Sequence, residues 1–335
     1  MKKILIAGAG GFIGGHLAKK FIKDKNFELV CADIKPKEYW FQIFDEAENH
    51  SLDLKDYSNA LKVLKNVDYI FNLACNMGGM GFIENNKAEC MLSVLINTNL
   101  LRGAVENNCE KYLFSSSACV YNGSKQNETF IPGLKEADAY PADPEDGYGW
   151  EKLFSERMCR HFTEDFGLET KVVRFHNIYG PIGTFDGGRE KAPAALCRKM
   201  INAKNKNLKT IDVWGDGEQT RSFLYIDDCL NGMLKVFNSD SSEVFNVGSE
   251  EQVSINQMID IIENIAGYKV DKKYQLDKPK GVRGRSSNND FIKDKIGWQP
   301  EYSLSNGLEK TYKWISEQIN SGTNTKKFSK ADIEK

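Results

Sequence analysis

No two of the eight cysteines stand in a C-x-x-C pair, and the four histidines are scattered without the spacing of metal ligands. A structural zinc site needs such clusters, so no metal is expected. Eight thiols outside any disulfide pattern point to a reducing, cytoplasmic setting. Also lacking is any run of 18 apolar residues, so no transmembrane helix is expected. The opening MKKILIAGAGGFIGG sets two lysines before an apolar run, but that run gives way to glycine after Ala7. It reads as a first strand rather than a signal peptide. Excess charge is missing too. The net charge is −2 and the lysines and arginines are spread along the chain. Neither nucleic acid nor a membrane is therefore an expected partner.

What is present is ordinary for a soluble globular protein: 335 residues, 41% hydrophobic and 27% charged, enough for one large or two medium domains. Short apolar runs alternate with longer amphipathic stretches. Strands are expected at KILIAG (3–8), ELVCADI (28–34), VDYIFNLA (67–74), KYLFSSSA (111–118) and within TKVVRFHNIYG (170–180). Helices are expected at 12–24, 56–65, 87–108 and 148–166. This alternation means βαβ units: an α/β fold with a Rossmann-type doubly wound parallel sheet. After residue 180 the segments shorten and Gly-rich turns appear, as in GTFDGGRE, WGDGEQTRSF and GVRGRSSNND. The expected division is a cofactor-binding domain over 1–180, with contributions from 215–245, and a smaller, partly inserted C-terminal substrate lobe over 181–320. Helices are expected there at 225–237 and 256–267, and a polar, frayed tail at 321–335.

The loop GAGGFIGG follows the first strand and opens the first helix. Gly8, Gly11 and Gly14 space it as G-x-x-G-x-x-G, with Phe12 and Ile13 inside the motif. Glycines allow a tight turn and close backbone approach, and a helix N-terminus offers free N–H groups to a pyrophosphate. Asp33, 19 residues after Gly14, closes the second strand, where a carboxylate bonds a ribose 2′-hydroxyl and repels a 2′-phosphate. The expected cofactor is therefore NAD rather than NADP. Asp53 stands near the expected adenine position.

FSSSACVY (114–121) ends a strand with a hydroxyl and a thiol two residues apart, so Ser117 and Cys119 are expected to face one side. YGWEK places Tyr148 and Lys152 four apart on one helix face. An ammonium beside a phenol is expected to lower its pKa, so that it can take a sugar hydroxyl's proton as hydride leaves. Ser117 would hold the same hydroxyl. Arg221 and Arg285 lie in Gly-rich loops, where a guanidinium suits a diphosphate. His176 reads as structural, and Trp214 as a candidate wall of the nucleotide pocket.

Together these motifs resemble the extended short-chain dehydrogenases/reductases that act on nucleotide sugars. MGGMGFIENN (77–86), SSACVY (116–121), DGYGWEK (146–152), RFHNIYGP (174–181), GGREKAPAALCRK (187–199), WGDGEQTRSF (214–223) and GVRGR (281–285) bring the resemblance to the GDP-mannose 3,5-epimerase family, over residues 3–318. The resemblance implies NAD held by Gly8, Gly11, Phe12, Ile13, Gly14, Asp33, Asp53, Tyr148 and Lys152, with Ser117, Tyr148 and Lys152 as the redox triad. It implies Cys119 and Lys191 as an acid/base pair. Gly78, Gly79, Ser117, Cys119, Asn177, Glu190, Lys191, Lys199, Gln219, Arg221 and Arg285 are implied to hold a GDP-sugar. A homodimer through a four-helix bundle built on 87–108 and 148–166 is implied as well. The chain departs from the family pattern at Cys75 and Asn76, in place of a small and an acidic residue, and at YNGSKQN, in place of a proline-containing turn.

The chemistry agrees with the resemblance. Sugar C–H bonds are too weakly acidic for a side-chain base, but a ketone at C4 acidifies the protons on both C3 and C5. One group then removes a proton while another returns one from the opposite face. Ala118–Cys119 replaces the Asp–Glu pair that the related 4,6-dehydratases use to expel water. The hexose or heptose carried by GDP stays open. So do 4-epimerisation, 4-reduction or 4-oxidation of a related GDP-sugar, and a non-catalytic NAD-binding protein that kept the fold.

Overall fold

The computed structural model describes residues 1–278 and 281–322, so the tail expected at 321–335 lies, from residue 323 on, outside the described residues. Six strands appear in chain order: β1 (Lys2–Ala7), β2 (Phe27–Asp33), β3 (Glu48–Ser51), β4 (Tyr69–Asn72), β5 (Lys111–Ser117) and β6 (Glu169–Phe175). With a later strand, Val244–Val247, they form one seven-stranded sheet in the order Val244–Val247, β6, β5, β4, β1, β2, β3. Every pairing in it is parallel. The strand order reverses at β1, and in such sheets ligands bind outside the carboxyl ends of the strands at the reversal.

β1 shows why its sequence is apolar without alternation. Ile4 and Ile6 join the core on one face, with Leu17 and Phe21 of helix Phe12–Phe21. Leu5 and Ala7 join the core on the other, with Val63, Leu100 and Leu101. A strand covered on both faces is apolar throughout. β3, with sequence ENHS, is absent from the sequence reading for the converse reason. It is a short edge strand paired only with β2 and carries polar side chains.

The helix expected over 87–108 is two helices, Lys87–Met91 and Ser93–Glu106. At the break, Ser93 turns inward and its Oγ accepts the Asn76 N–H at 2.9 Å, tying the helix to the loop after β4. Helix Tyr148–Phe166 runs unbroken from the expected start to a left-handed Gly167.

Past β6 the chain builds smaller elements. Helix Ala192–Asn205 is one of them; Thr210–Trp214 pairs with Asp271–Gln275. A three-stranded sheet joins Gln252–Ser254, Thr220–Ser222 and Gly284–Arg285. Helix Ile226–Phe237 returns to pack on the main sheet, and Val244–Val247 completes it. Among the described residues no helix is long and apolar enough to cross a membrane.

Candidate active site

The cofactor cradle forms where β1 stops. Gly8 takes a positive φ of +84°, and a Cβ on Gly14 would stand 2.2 Å from the Gly8 carbonyl oxygen. The first turn of helix Phe12–Phe21 thus lies directly on the loop, a packing that only glycine permits. Gly11 is the N-cap; no side chain caps this helix, and its first turn holds no acidic residue. Its N–H groups are left for a pyrophosphate, so the residues present fit a dinucleotide. Phe12 and Ile13 pack against the main core, and Phe12 stands edge-on to His16. Asp33 sits buried at the end of β2, its Oδ1 accepting the Lys35 N–H at 3.0 Å. Lys35 Nζ donates to the Gly10 carbonyl at 3.1 Å, and the Trp40 indole N–H to the Lys35 carbonyl at 2.9 Å. Lys35 and Trp40 thus brace the glycine loop, which no sequence motif marked. Asp53 lies in the turn after β3, its Oδ1 already accepting the Lys55 N–H at 2.8 Å.

The triad gathers at the next strand ends. Ser117 is the last residue of β5 and Tyr148 the first residue of its helix. Lys152, one turn on, is almost fully enclosed, its Nζ 4.7 Å from the Phe114 ring centroid and 5.6 Å from that of Tyr148. Burial alone would push the Lys152 ammonium down, but Cys75 and the Glu151 carboxylate outweigh it and hold the pKa above its usual value. Glu151 Oε2 lies 3.6 Å from the ammonium. The expectation of a lowered phenol pKa does not hold for the protein alone. Burial, then Cys75, Cys119 and Glu151, raise Tyr148 well above its usual value, while Ser117 pulls it back. The low-dielectric surroundings penalise the phenolate more than the distant ammonium favours it.

Cys119 is not on the strand beside Ser117. The strand ends at Ser117, and Ala118–Val120 form a single 3₁₀ turn in which Ser117 Oγ accepts the Cys119 N–H at 3.2 Å. The turn, not the strand's period of two, brings the thiol to the cleft. Arg285 Nη1 stands 3.4 Å from its sulfur, and Arg285 Nε donates to Gln126 Oε1 at 2.6 Å. Burial first, and then Glu145, push the thiol up to about 11, against the pull of Arg285. Lys191 is the N-cap residue of helix Ala192–Asn205. Burial lowers its pKa, and the nearby Cys119, Cys75 and Cys229 oppose that. The residues thus place a protonated thiol and an amine with weakened hold on its proton in one cleft with the Tyr148 phenol.

Of the other expected substrate residues, Arg221 and Arg285 lie close to Cys119. Arg221 and Arg285 face each other across paired strands, a register that joins residues far apart in the chain. Burial and the neighbouring Arg285 both lower Arg221's pKa, against Glu145 and Cys119. Two enclosed guanidiniums side by side make a site for a dianion. Gln219 donates to the Trp214 carbonyl at 2.9 Å, while its buried Oε1 has no partner and stays open to a donor. Gly79 N–H donates to the Arg189 carbonyl at 3.1 Å, stitching the Gly78–Gly79 loop to the loop that carries Lys191. Arg189 Nη1 reaches Asn76 Oδ1 at 3.0 Å, so Asn76 serves this stitch. Glu190 is committed to Arg198 at 3.0 Å and to the Gly188 N–H at 2.6 Å. Lys199 donates to the Asp212 carbonyl at 2.7 Å, and Asn177, at a φ of +50°, to the Ser222 carbonyl at 3.0 Å. In the protein alone these last three support the walls rather than point free groups inward. His176 is fully enclosed and paired with Asn246 at 2.9 Å.

A family model described as the NAD dependent epimerase/dehydratase family matches residues 4–248. GDP-mannose 3,5-epimerase 1 of Oryza sativa subsp. indica is 46% identical over 318 residues, covering 95% of this chain and 82% of its own. GDP-mannose 3,5-epimerase of Arabidopsis thaliana is 45% identical over 318 residues, covering 95% and 83%. Among solved structures, UDP-glucuronic acid 4-epimerase of Bacillus cereus, in complex with UDP-glucuronic acid and NAD, superposes with a TM-score of 0.79 at 26% identity, covering 94% of this chain and 99% of that one.

Proposed function

The chain belongs to the NAD dependent epimerase/dehydratase family, and from that premise we propose that it converts GDP-mannose to GDP-L-galactose and GDP-L-gulose by epimerisation at C3 and C5. The observation that carries this reading is the second set of protic groups, Cys119 and Lys191, in the cleft of the Ser117, Tyr148 and Lys152 triad. Inverting C4 alone needs only the triad. The relatives at 45–46% identity are named as GDP-mannose 3,5-epimerases.

NAD, held by the glycine loop and Asp33, supplies the hydride acceptor at C4 and returns the hydride at the end, so no net oxidation occurs. Ser117 and Tyr148 hold the C4 hydroxyl, and Tyr148 takes its proton as the C–H bond breaks, with Lys152 as the fixed positive charge beneath. At the 4-ketone stage, one of Cys119 and Lys191 removes the proton from C5 or C3. The electron pair moves onto the ketone oxygen as an enolate, and the other group delivers a proton to the opposite face of the carbon. Arg221 and Arg285 clamp the diphosphate.

GDP-mannose incubated with the protein in D2O and followed by proton NMR is expected to lose its H3 and H5 signals as new L-sugar resonances grow, with no net NADH. Cys119→Ala is expected to stop deuterium entry while the cofactor is still reduced on mixing with substrate. Absence of deuterium from the native enzyme's product would refute proton chemistry at C3 and C5 and leave redox chemistry at C4.

The homodimer belongs to the same reading. Leu95, Trp150 and Phe154 are exposed at 42%, 44% and 57% on the two helices Ser93–Glu106 and Tyr148–Phe166, an apolar face suited to its own copy. Phe154→Glu is expected to weaken the dimer by about a hundredfold, read by light scattering across a dilution series. Unchanged mass at nanomolar protein would move the interface elsewhere. The eight free thiols support a cytoplasmic location.

A further inference from the structure

Glu145 lies three residues before Tyr148, outside every motif of the sequence reading. Its backbone N–H donates to the Cys119 carbonyl at 3.0 Å. The first turn of the catalytic helix lies flat on the same peptide, since a Cβ on Gly149 would stand 2.3 Å from that carbonyl oxygen. These two contacts fix the Glu145 backbone against the turn that carries the thiol. Both carboxylate oxygens are buried, and the Cys119 thiol is within hydrogen-bonding reach of the carboxylate. Its cationic neighbour Arg285 stands 3.8 Å away at Nη2 and gives its Nη1 to the sulfur and its Nε to Gln126. A buried carboxylate with so few partners costs stability, and one set against a thiol and a guanidinium is placed to tune that thiol.

We propose that Glu145 is a positioning residue for the acid–base thiol: its enclosed charge, balanced against Arg285, sets how readily Cys119 gives up its proton. The proposal rests on the acid–base role given above to Cys119. The groups facing the thiol are Tyr148 from the helix, Lys191 from its helix N-cap, and Arg221 and Arg285 from the small sheet. Of these facing groups and Glu145, Glu145 alone brings a carboxylate. It acts in the same direction as burial, towards the protonated thiol, while Arg285 opposes it. Its charge reaches outward as well. Glu84, which lines a cavity of about 210 Å3 with Glu145, Lys87 and Asp146, is raised by burial and then by Glu145. Glu145 therefore adds to burial in holding the proton on sulfur, and Arg285 works against both.

The test reads the thiol directly and needs no substrate. Alkylation of the full-length protein by iodoacetamide is followed against pH, with Cys119 and Cys75 quantified separately by peptide mass spectrometry. Glu145→Gln is expected to lower the apparent pKa of Cys119 by about one unit, a roughly tenfold faster alkylation at pH 8, with Cys75 changed less than threefold. Glu145→Asp, which keeps the charge, is expected to leave the profile within half a unit of native. An unshifted Cys119 profile in a folded Glu145→Gln protein overturns the proposal. So does equal acceleration at both cysteines, which reports a loosened loop. If Glu145→Gln does not fold, Glu145→Ala takes its place under the same criteria. A shifted profile without deuterium exchange into GDP-mannose would uphold the electrostatic coupling and refute the substrate assignment, so the two readings fail separately.

Discussion

Replacing Tyr148 with phenylalanine is expected to cut turnover about 10²- to 10⁴-fold while leaving NAD bound. The range is that of a single positioned proton-transfer group. The reason for so clean a separation is geometric. The Tyr148 ring is nearly enclosed and packs with Ile83, Cys90 and Cys119, contacts that phenylalanine keeps. What is lost is one hydroxyl and its bond to Ser117, about 1 kcal/mol of stability. The glycine loop and Asp33, assigned above to the cofactor's phosphates and ribose, belong to other elements and are untouched. Turnover is read by proton NMR in D2O, and bound cofactor by its release from the denatured protein. Turnover within threefold of native would remove Tyr148 from the proton path.

The second large effect concerns the strut beneath that tyrosine. Two turns along the same helix, Glu156 accepts from Arg174 Nε at 2.9 Å and Nη2 at 2.7 Å, and from Ser116 Oγ at 2.5 Å. Arg174 also donates to the Glu136 carbonyl at 2.7 Å. Both partners of the pair are buried, Arg174 at 2% exposure and Glu156 at 5%. The pair therefore bolts the catalytic helix to β5 and β6 next to Ser117. Glu156→Leu leaves a buried guanidinium without its carboxylate and is expected to destabilise the fold by about 3–5 kcal/mol. Adding Arg174→Met is expected to recover most of that loss, because no charge then stays unpaired. Urea denaturation of the two single variants and the double variant measures the coupling. A loss below about 1 kcal/mol in Glu156→Leu would mean that water reaches Arg174 and the strut carries little.

Much of this was legible in local pattern. Continuous apolar runs at Ile4–Ala7 and Leu29–Ala32 announced strands covered on both faces, and the glycines from Gly8 to Gly14 announced the turn between strand and helix. Tyr148 and Lys152 were readable as one helix face because a helix repeats within four residues. The edge strand Glu48–Ser51 was not readable, because a polar strand with one neighbour carries no apolar alternation. Nor was the break at Leu92, which answers to the Ser93 bond with a loop that precedes it by many residues.

By itself, then, the sequence determined the α/β class, the dinucleotide loop and the types of reactive group, since each depends on spacing within a few residues. Only the tertiary structure decided who neighbours whom. The 3₁₀ turn redirected Cys119 off the strand, and strand register set Arg221 beside Arg285. Gln126, in the segment that departs from the family pattern, proved to hold Arg285 across 159 residues of chain. Arg189 joined two loops 112 residues apart, and Glu145 came to rest beside Arg285 and within reach of the thiol. The physical reason is common to all of them. Proton affinity depends on burial and on charges within a few ångströms, and those distances are made by long-range packing, which leaves no periodic mark on the chain.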